Sequence, residues 1–418
     1  MWPITSTGRP SLRRAPAAWR HWTPSATSLR ADGGPGRGVQ LHILDSIHGV
    51  AATEWNALEG SAQPFLRHEF LAALEDSGCA ADATGWTPRH LLVRDAAGML
   101  AGALPLYRKT NSWGEFVFDF AWADAYRRAG LSYFPKLVAA VPFTPASGPR
   151  LLTAPAADRQ ATGDVLLAGA LALARDSAAS SVHVLFPTHE EAASLGARGW
   201  LLRKDCQFHW HNRGYGSFED FLDGFTAEKR KKTRRERRRV AEAGIRLRTL
   251  TGAEIDDRLW GEIMPLYAST FWRRGREPYL NEAFFRTVAR TLPGQFLAVL
   301  ATLHGTAVAV ALFFRGTDTL YGRYWGSTGE HHSLHFEACY HQGIEYCIAN
   351  GLQRFEPGTQ GEHKVARGFE PVPVWSAHWL ADARFAAVID RHLGEERAHV
   401  DGYIAAVQDH VPFRRDPA

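Results

Sequence analysis

Cysteine is scarce in this chain. There are 4 in 418 residues, Cys79, Cys206, Cys339 and Cys347, and none is spaced as CxxC. That excludes a disulfide framework and a cysteine zinc site, and it suits buried thiols in a reducing, cytoplasmic compartment. Long apolar runs are missing too. None approaches the roughly 18 residues of a membrane span, so no transmembrane segment is expected. There is no G-x-S-x-G nucleophile elbow and no HExxH zinc helix. His331, His332, His335, Glu337 and His341 are ligand types without that spacing, so no metal is expected. Acid is absent from the start of the chain. Residues 1–38 carry Arg9, Arg13, Arg14, Arg20, Arg30 and Arg37 and no carboxylate before Asp32. This leader reads either as an Arg-rich, Ser-rich transit peptide or as an extension ahead of a true start near Val39, and the GGPGRG spacer favours the extension.

What is present in excess is cationic charge at one place. Lys229 to Arg239 reads KRKKTRRERRR, nine basic residues and one acid, a net +8 in a chain of net +4. The remainder therefore sums to 4 − 8 = −4. Thr226 as N-cap and Gly244 past the C-terminus bound a helix with no Pro or Gly inside. Val240 is its only large aliphatic. Like charges stand four apart at Lys231/Arg235, Arg234/Arg238 and Arg235/Arg239, each pair weakening a helix by about 0.2–0.5 kcal/mol. A helix without core contact or favourable pairs calls for a polyanion, and Lys231, Lys232, Arg234, Arg235 and Arg238 are the binding candidates. The competing reading is a solvated surface helix.

Around this rod the spacing predicts two similar sets of elements. The first has a strand over Leu41–Ile47, helices over Ala51–Leu58 and Phe65–Ser77, and a hairpin of His90–Arg94 with Met99–Arg108. A strand over Phe116–Ala123 follows, then a Pro-rich loop through Phe134-Pro-Lys136 and Phe143–Arg150. A helix over Thr162–Asp176, a strand over Val182–Phe186, a helix over Glu190–Arg198 and a strand over Gln207–Trp210 complete the set. The second has a hairpin of Leu297–Thr302 with Thr306–Arg315 and a strand over Leu320–Trp325. A helix over Phe336–Asn350 and strands over Gln353–Glu356 and Val374–Leu380 complete it. Landmarks align the sets. Arg198-Gly-Trp200 with His209-Trp210 maps onto Arg367-Gly-Phe369 with His378-Trp379 at a shift of 367 − 198 = 169. The hairpin glycines Gly98 and Gly305 stand 207 apart. The expected class is α/β or α+β with mixed sheets in two tandem domains. Their bounds are 39–215 and 246–413. An amphipathic segment and the basic helix fill 216–245 between them.

The second set carries the polar residues able to do chemistry. Glu356, Glu362, His363 and Lys364 are the catalytic candidates. A carboxylate or imidazole there can take a proton from an amine, and Lys364 or Arg323 can hold an anion. Arg323, Tyr324, His335, Glu337, Gln360 and Arg367 are the substrate-binding candidates. The bland alternative is a polar loop tied by its own salt bridges, Glu362 to Lys364 or Arg367.

The segments Gly322-Arg-Tyr-Trp-Gly326, Ser333-Leu-His-Phe-Glu-Ala-Cys-Tyr340 and Glu356 to Phe369 resemble the hallmarks of the FemAB-like predicted N-acyltransferases. This is the Fem-type branch of the GNAT acyltransferase superfamily. The basic helix between two copies of one fold and the Phe143–Arg150 loop are similar as well. The resemblance spans about 39–413. It implies two tandem GNAT-like acyl-CoA N-acyltransferase domains and transfer of an acyl or aminoacyl group to an amine acceptor, in peptidoglycan or cell-envelope metabolism. It also implies no tightly bound cofactor, with acyl-CoA or aminoacyl-tRNA as cosubstrate. His331-His-Ser-Leu-His335 stands where a CoA pyrophosphate loop would run, which puts acetyl-CoA in doubt, whereas the basic helix suits a tRNA backbone. The alternative from another class is an RNA- or polyanion-binding protein without catalysis.

Overall fold

The computed structural model describes residues 29–30, 38–359 and 361–414, and its elements fall into two runs. A two-residue strand β1 (Leu29–Arg30) pairs with β2 (Gln40–Leu44). Helices α1 (Ala52–Asn56) and α2 (His68–Asp76) come next. Strands β3 (Trp86–Pro88), β4 (His90–Arg94), β5 (Leu100–Leu104) and β6 (Leu106–Lys109) precede α3 (Phe120–Arg128) and β7 (Lys136–Ala139). Then come β8 (Leu152–Thr153), α4 (Arg159–Asp176), β9 (Ser181–Leu185), α5 (His189–Ala197) and β10 (Leu201–His211). Helices α6 (Phe218–Asp223) and α7 (Ala227–Glu242) lead to the second run. It consists of β11 (Ile245–Thr251), α8 (Asp257–Trp272), α9 (Glu282–Thr291), β12 (Phe296–Leu303), β13 (Thr306–Arg315) and β14 (Thr319–Ser327). The helix α10 (Leu334–Phe336), a π turn over Glu337–His341, α11 (Gln342–Ala349) and β15 (Arg354–Glu356) follow. A 3₁₀ turn over Glu362–Arg367, β16 (Glu370–Leu380) and α12 (Ala383–Gln408) end the chain.

The class is mixed α/β, as expected. The last strands, β10 and β16, are both 11 residues long. Their ends superpose at 370 − 201 = 169 and 380 − 211 = 169. Each follows a left-handed glycine, Gly199 at φ 81° and Gly368 at φ 86°. In the 11-stranded sheet these strands are exchanged. The parallel pair β7/β9 of the first run continues into β16, and the parallel pair β14/β15 of the second continues into β10. One core joins Phe65 and Phe70 to Phe284 and Phe314, so the exchange is sealed by apolar burial from both runs.

Several expected elements differ. Phe116–Ala123 is not a strand. Phe116 packs against the core while Phe118 and Phe120 are exposed, and α3 begins at Phe120 because Trp122 and Tyr126 pack against Ile389 and Leu393 of α12. The strand of that region is β7, inside the segment read as loop. Lys136 hid it, since a buried lysine is rare in a strand, but its ammonium is met by Glu115, Asp119 and Ser112. Met99–Arg108 breaks at Pro105 into β5 and β6, which join different sheets. The first strand stops at Leu44. Apart from Leu29–Arg30 and Gly38, the leader lies outside the described residues, as does Gln360.

The basic helix forms within one residue of its expected ends, with Gly244 at φ 75° just beyond. The expectation that it lacks core contact and charge partners is corrected. Thr233, Glu236 and Val240 are buried. Arg237 lies 4.4 Å above the Phe218 ring and bridges Glu337 and Glu345. The inward face is polar but paired, which no apolar count could reveal.

Candidate active site

β14 and β15 pair in parallel over only three residues each, Thr319–Tyr321 with Arg354–Glu356. Beyond that point β14 runs on to Ser327, while β15 ends at Glu356. Side chains from α10, the π turn and the 3₁₀ turn fill the resulting gap. A π turn advances five residues per hydrogen bond, so it brings His335 and Tyr340 to one face, with ring centroids 5.4 Å apart. The Tyr340 hydroxyl is 2.8 Å from His363 Nε2. The His335 and His363 rings are 5.9 Å apart. Gly361, at φ 119°, lets the loop fold back over His363, because a Cβ there would stand 2.4 Å from its Cε1. A pocket of about 500 Å³ opens beside this group, lined by Arg273, Trp325, His331, His332, His335 and Phe336.

Burial and the Arg367 and Lys364 charges set the protonation of this group. Burial first, then His363, Arg367 and Lys364, hold His335 down at about 4. His363 is open to solvent on one side, and its partial burial, with Lys364 and Arg367, lowers it as well. Both imidazoles are therefore neutral at pH 7 and able to accept a proton. Burial brings the Lys364 amine down to about 7, and it donates to the Gly358 carbonyl at 2.6 Å. Burial raises the Tyr340 phenol, so it keeps its proton.

The sheet divides the residues that the sequence grouped. Phe355 faces Tyr340, Ala338 and Ile344. Glu356, its neighbour, faces the opposite side with Tyr321, and lines a separate cleft. Glu356 is thus not assembled with His363 and Lys364. Arg323 lies on the Glu356 side and donates to the Phe143 carbonyl at 2.5 Å. Tyr324 is packed among Tyr267 and Phe285. Glu362 stands at the exposed edge and accepts from Tyr403 at 2.9 Å, so the salt bridges considered for this loop do not form. Glu337 and Arg367 are engaged within the protein. Glu337 meets Arg237 at 3.1 Å and His341 at 3.0 Å. Burial opposes its charge, but His341, Arg237 and Gln342 hold it at about 2. Arg367 donates to both oxygens of Glu236 at 2.9 and 3.0 Å and to the His363 carbonyl at 2.7 Å. Its guanidinium lies 3.3 Å above Phe336. On the outer face of α7, Lys231, Lys232, Arg234, Arg235 and Arg238 are all exposed. Arg234 pairs with Glu219 at 2.6 Å and Arg238 with Glu242 at 3.6 Å.

Sequence reasoning passed over Tyr340 as a functional residue. Nothing in the order of residues announces a π turn, and at ordinary helical spacing Tyr340 would face away from His335.

Residues 46–415 match the FemAB-like family, described as peptidoglycan biosynthesis and recognition. No curated protein matches the sequence. Among solved structures, FemX is similar at TM-score 0.48 and 11% identity, over 74% of this chain and 92% of that one. L-PGS from Bacillus licheniformis is similar at TM-score 0.48 and 12% identity, over 77% and 94%. A tandem GNAT protein from the clavulanic acid biosynthesis pathway is similar at TM-score 0.43 and 15% identity, over 82% and 99%.

Proposed function

The chain belongs to the FemAB-like family, transferases of peptidoglycan biosynthesis and recognition, and from that premise we propose that it is an N-acyltransferase whose reaction centre is the His363–Tyr340 pair. The observation that carries the reading is the 2.8 Å contact between the Tyr340 hydroxyl and His363 Nε2, beside a pocket of about 500 Å³.

In this mechanism an amine nitrogen attacks the carbonyl carbon of a thioester or ester donor. The new N–C bond forms, and the C–S or C–O bond to the leaving group breaks. In the tautomer with its proton on Nε2, His363 takes the amine's proton on Nδ1. Tyr340 gives its proton to the departing sulfur or oxygen and recovers one from His363 Nε2. The net result is one proton moved from amine to leaving group. Acyl-CoA and aminoacyl-tRNA both fit this chemistry. Lys231, Lys232, Arg234, Arg235 and Arg238 would take the polyanionic part of the donor. A second reading, polyanion binding without catalysis, is supported by the same exposed face. Among the described residues no helix is long and apolar enough to cross a membrane.

The test is a donor and acceptor screen with products read by mass spectrometry. Tyr340→Phe and His363→Ala should each lower kcat by about 100-fold or more, with the melting temperature of Tyr340→Phe near wild type. Full turnover in both variants would refute the assignment. Stabilisation of the protein by RNA alone, with no product from any donor, would favour the second reading.

A further inference from the structure

On the opposite face of the sheet from His363 lies a second cleft, of about 550 Å³, between the two runs of elements. Gln63 and Ser147 contribute from the first run, Tyr321 and Glu356 from the second, and Trp375 from the exchanged strand β16. That volume is within the range of small-molecule sites.

Glu356 marks what such a ligand must supply. The residue is 4% exposed, and neither carboxylate oxygen has a well-aligned hydrogen-bond partner, the Ser147 N–H facing it without good geometry. Arg354 Nε stands 3.3 Å from Oε1, but the alignment satisfies neither group, and that Nε is unpartnered as well. The other groups facing the carboxylate are the Ser147 backbone, Arg323, Arg150 and the Tyr321 phenol. Arg150 is occupied by the carbonyls of Leu185, Gly148, Pro149 and Ala146. Arg323 is drawn to the Phe143 carbonyl. Neither completes the coordination of Glu356. Burial, opposed by Arg354, the Ser147 backbone N–H, Arg323 and Arg150, raises the Glu356 carboxyl to about 7.

The cleft's charge points the same way. Its lining carries the carboxylates Glu190, Asp318 and Glu356 against one guanidinium, Arg354. His209 and His211 are lowered by burial and are neutral at pH 7. An acidic cleft in a chain of net +4 selects against the polyanions that α7 would attract. A buried polar group without a partner is costly, and a ligand that supplies donors to both oxygens relieves the cost.

We propose that this cleft is a binding site for an alkyl ammonium group, whose N–H donors complete the Glu356 carboxylate while Tyr321 and Trp375 wall its aliphatic part. The cleft lies across the sheet from His363, so the ammonium held here is not the amine that His363 deprotonates, and the site does not rest on the transferase reading. The binding itself is independent of His363.

The probe is n-pentylamine, with n-pentanol as the uncharged control, titrated by calorimetry into the full chain. Pentylamine binds and pentanol binds at least tenfold more weakly. The amine stays protonated below pH 10, so any pH dependence belongs to the protein. Ionised Glu356 is the binding form, so affinity rises with pH through about 7. Between pH 5.5 and 8.5 the gain should be about 30-fold. At pH 7 in buffers of different ionisation enthalpy, binding should release protons. Glu356→Gln keeps the shape, weakens pentylamine binding at least tenfold and flattens the pH dependence. Its melting temperature should stay near wild type, because the Arg354 guanidinium that loses its counter-charge is 40% exposed. Glu190→Gln, at the exposed rim, should change affinity less than threefold. His363→Ala should bind pentylamine as wild type does, so loss of the reaction reading and loss of this site are separately visible. Equal affinity in wild type and Glu356→Gln, or equal affinity for amine and alcohol, would overturn the proposal.

Discussion

Replacing Glu236 with Gln tests how the basic helix is attached to the reaction loop. Glu236 and Arg367 form a pair with side chains 10% and 5% exposed. Arg367 Nη2 reaches both carboxylate oxygens, and Nη1 holds the His363 carbonyl. Gln in place of Glu leaves a buried guanidinium without its counter-charge. Breaking a buried pair on one side costs about 3–5 kcal/mol. The His363 carbonyl and the Phe336 ring still face Arg367, so the lower end, about 3 kcal/mol, is expected. The contrast is Arg234→Ala, which breaks a pair whose side chains are 49% and 61% exposed. Its cost should be about 0–1 kcal/mol. Equilibrium urea unfolding measures both. The double variant Glu236→Gln/Arg367→Met should recover most of the loss, because no lone charge remains. A Glu236→Gln protein within about 0.5 kcal/mol of wild type would refute the reasoning. So would a double variant that is worse than the sum of its singles.

Neutralising Lys231, Arg234, Arg235 and Arg238 together should weaken polyanion binding and flatten its slope against log salt by about 0.7 per lost contact on a single strand, while Arg230→Gln does less; equal effects would return α7 to a solvated face. Burial holds Lys109 and Lys364 each at about 7. The unfolded chain, with lysine near 10.4, binds more protons between these values, so stability should rise from pH 7 to 10. Lys364→Met should remove about half of that rise, as read from melting temperature against pH; an unchanged slope would place the Lys364 amine in water. Gly361→Ala adds a side chain at φ 119° and 2.4 Å from His363, so it should lower turnover with a stability loss of about 1–3 kcal/mol. A fully active Gly361→Ala would mean that the loop's fold over His363 is dispensable.

Much of the architecture was legible because it is local. The C-terminal ends of β10 and β16 follow from alternating apolar residues, but the strands start at Leu201 and Glu370, ahead of the expected Gln207 and Val374, because the two strands pair with each other along their length. The span of α7 follows from its cap positions and the absence of breakers. Local signals failed where distant partners decide. Phe116, Phe118 and Phe120 alternate like a strand, but Trp122 and Tyr126 find α12 and make α3 a helix. Lys136 looks like loop until Glu115 and Asp119 close over it.

The candidate site divides along the same line. The residues of Glu356 to Arg367 were legible as able to do chemistry from their types alone, and the period of two already requires Phe355 and Glu356 to point to opposite faces. What each face meets was decided only by tertiary structure. Exchange of β10 and β16 closes the sheet between the runs and sets Glu356 toward Gln63 and Ser147. The π turn brings Tyr340 onto His363. Strand order and helix register arise from contacts between residues far apart in sequence, whereas caps, turns and alternation are properties of neighbours.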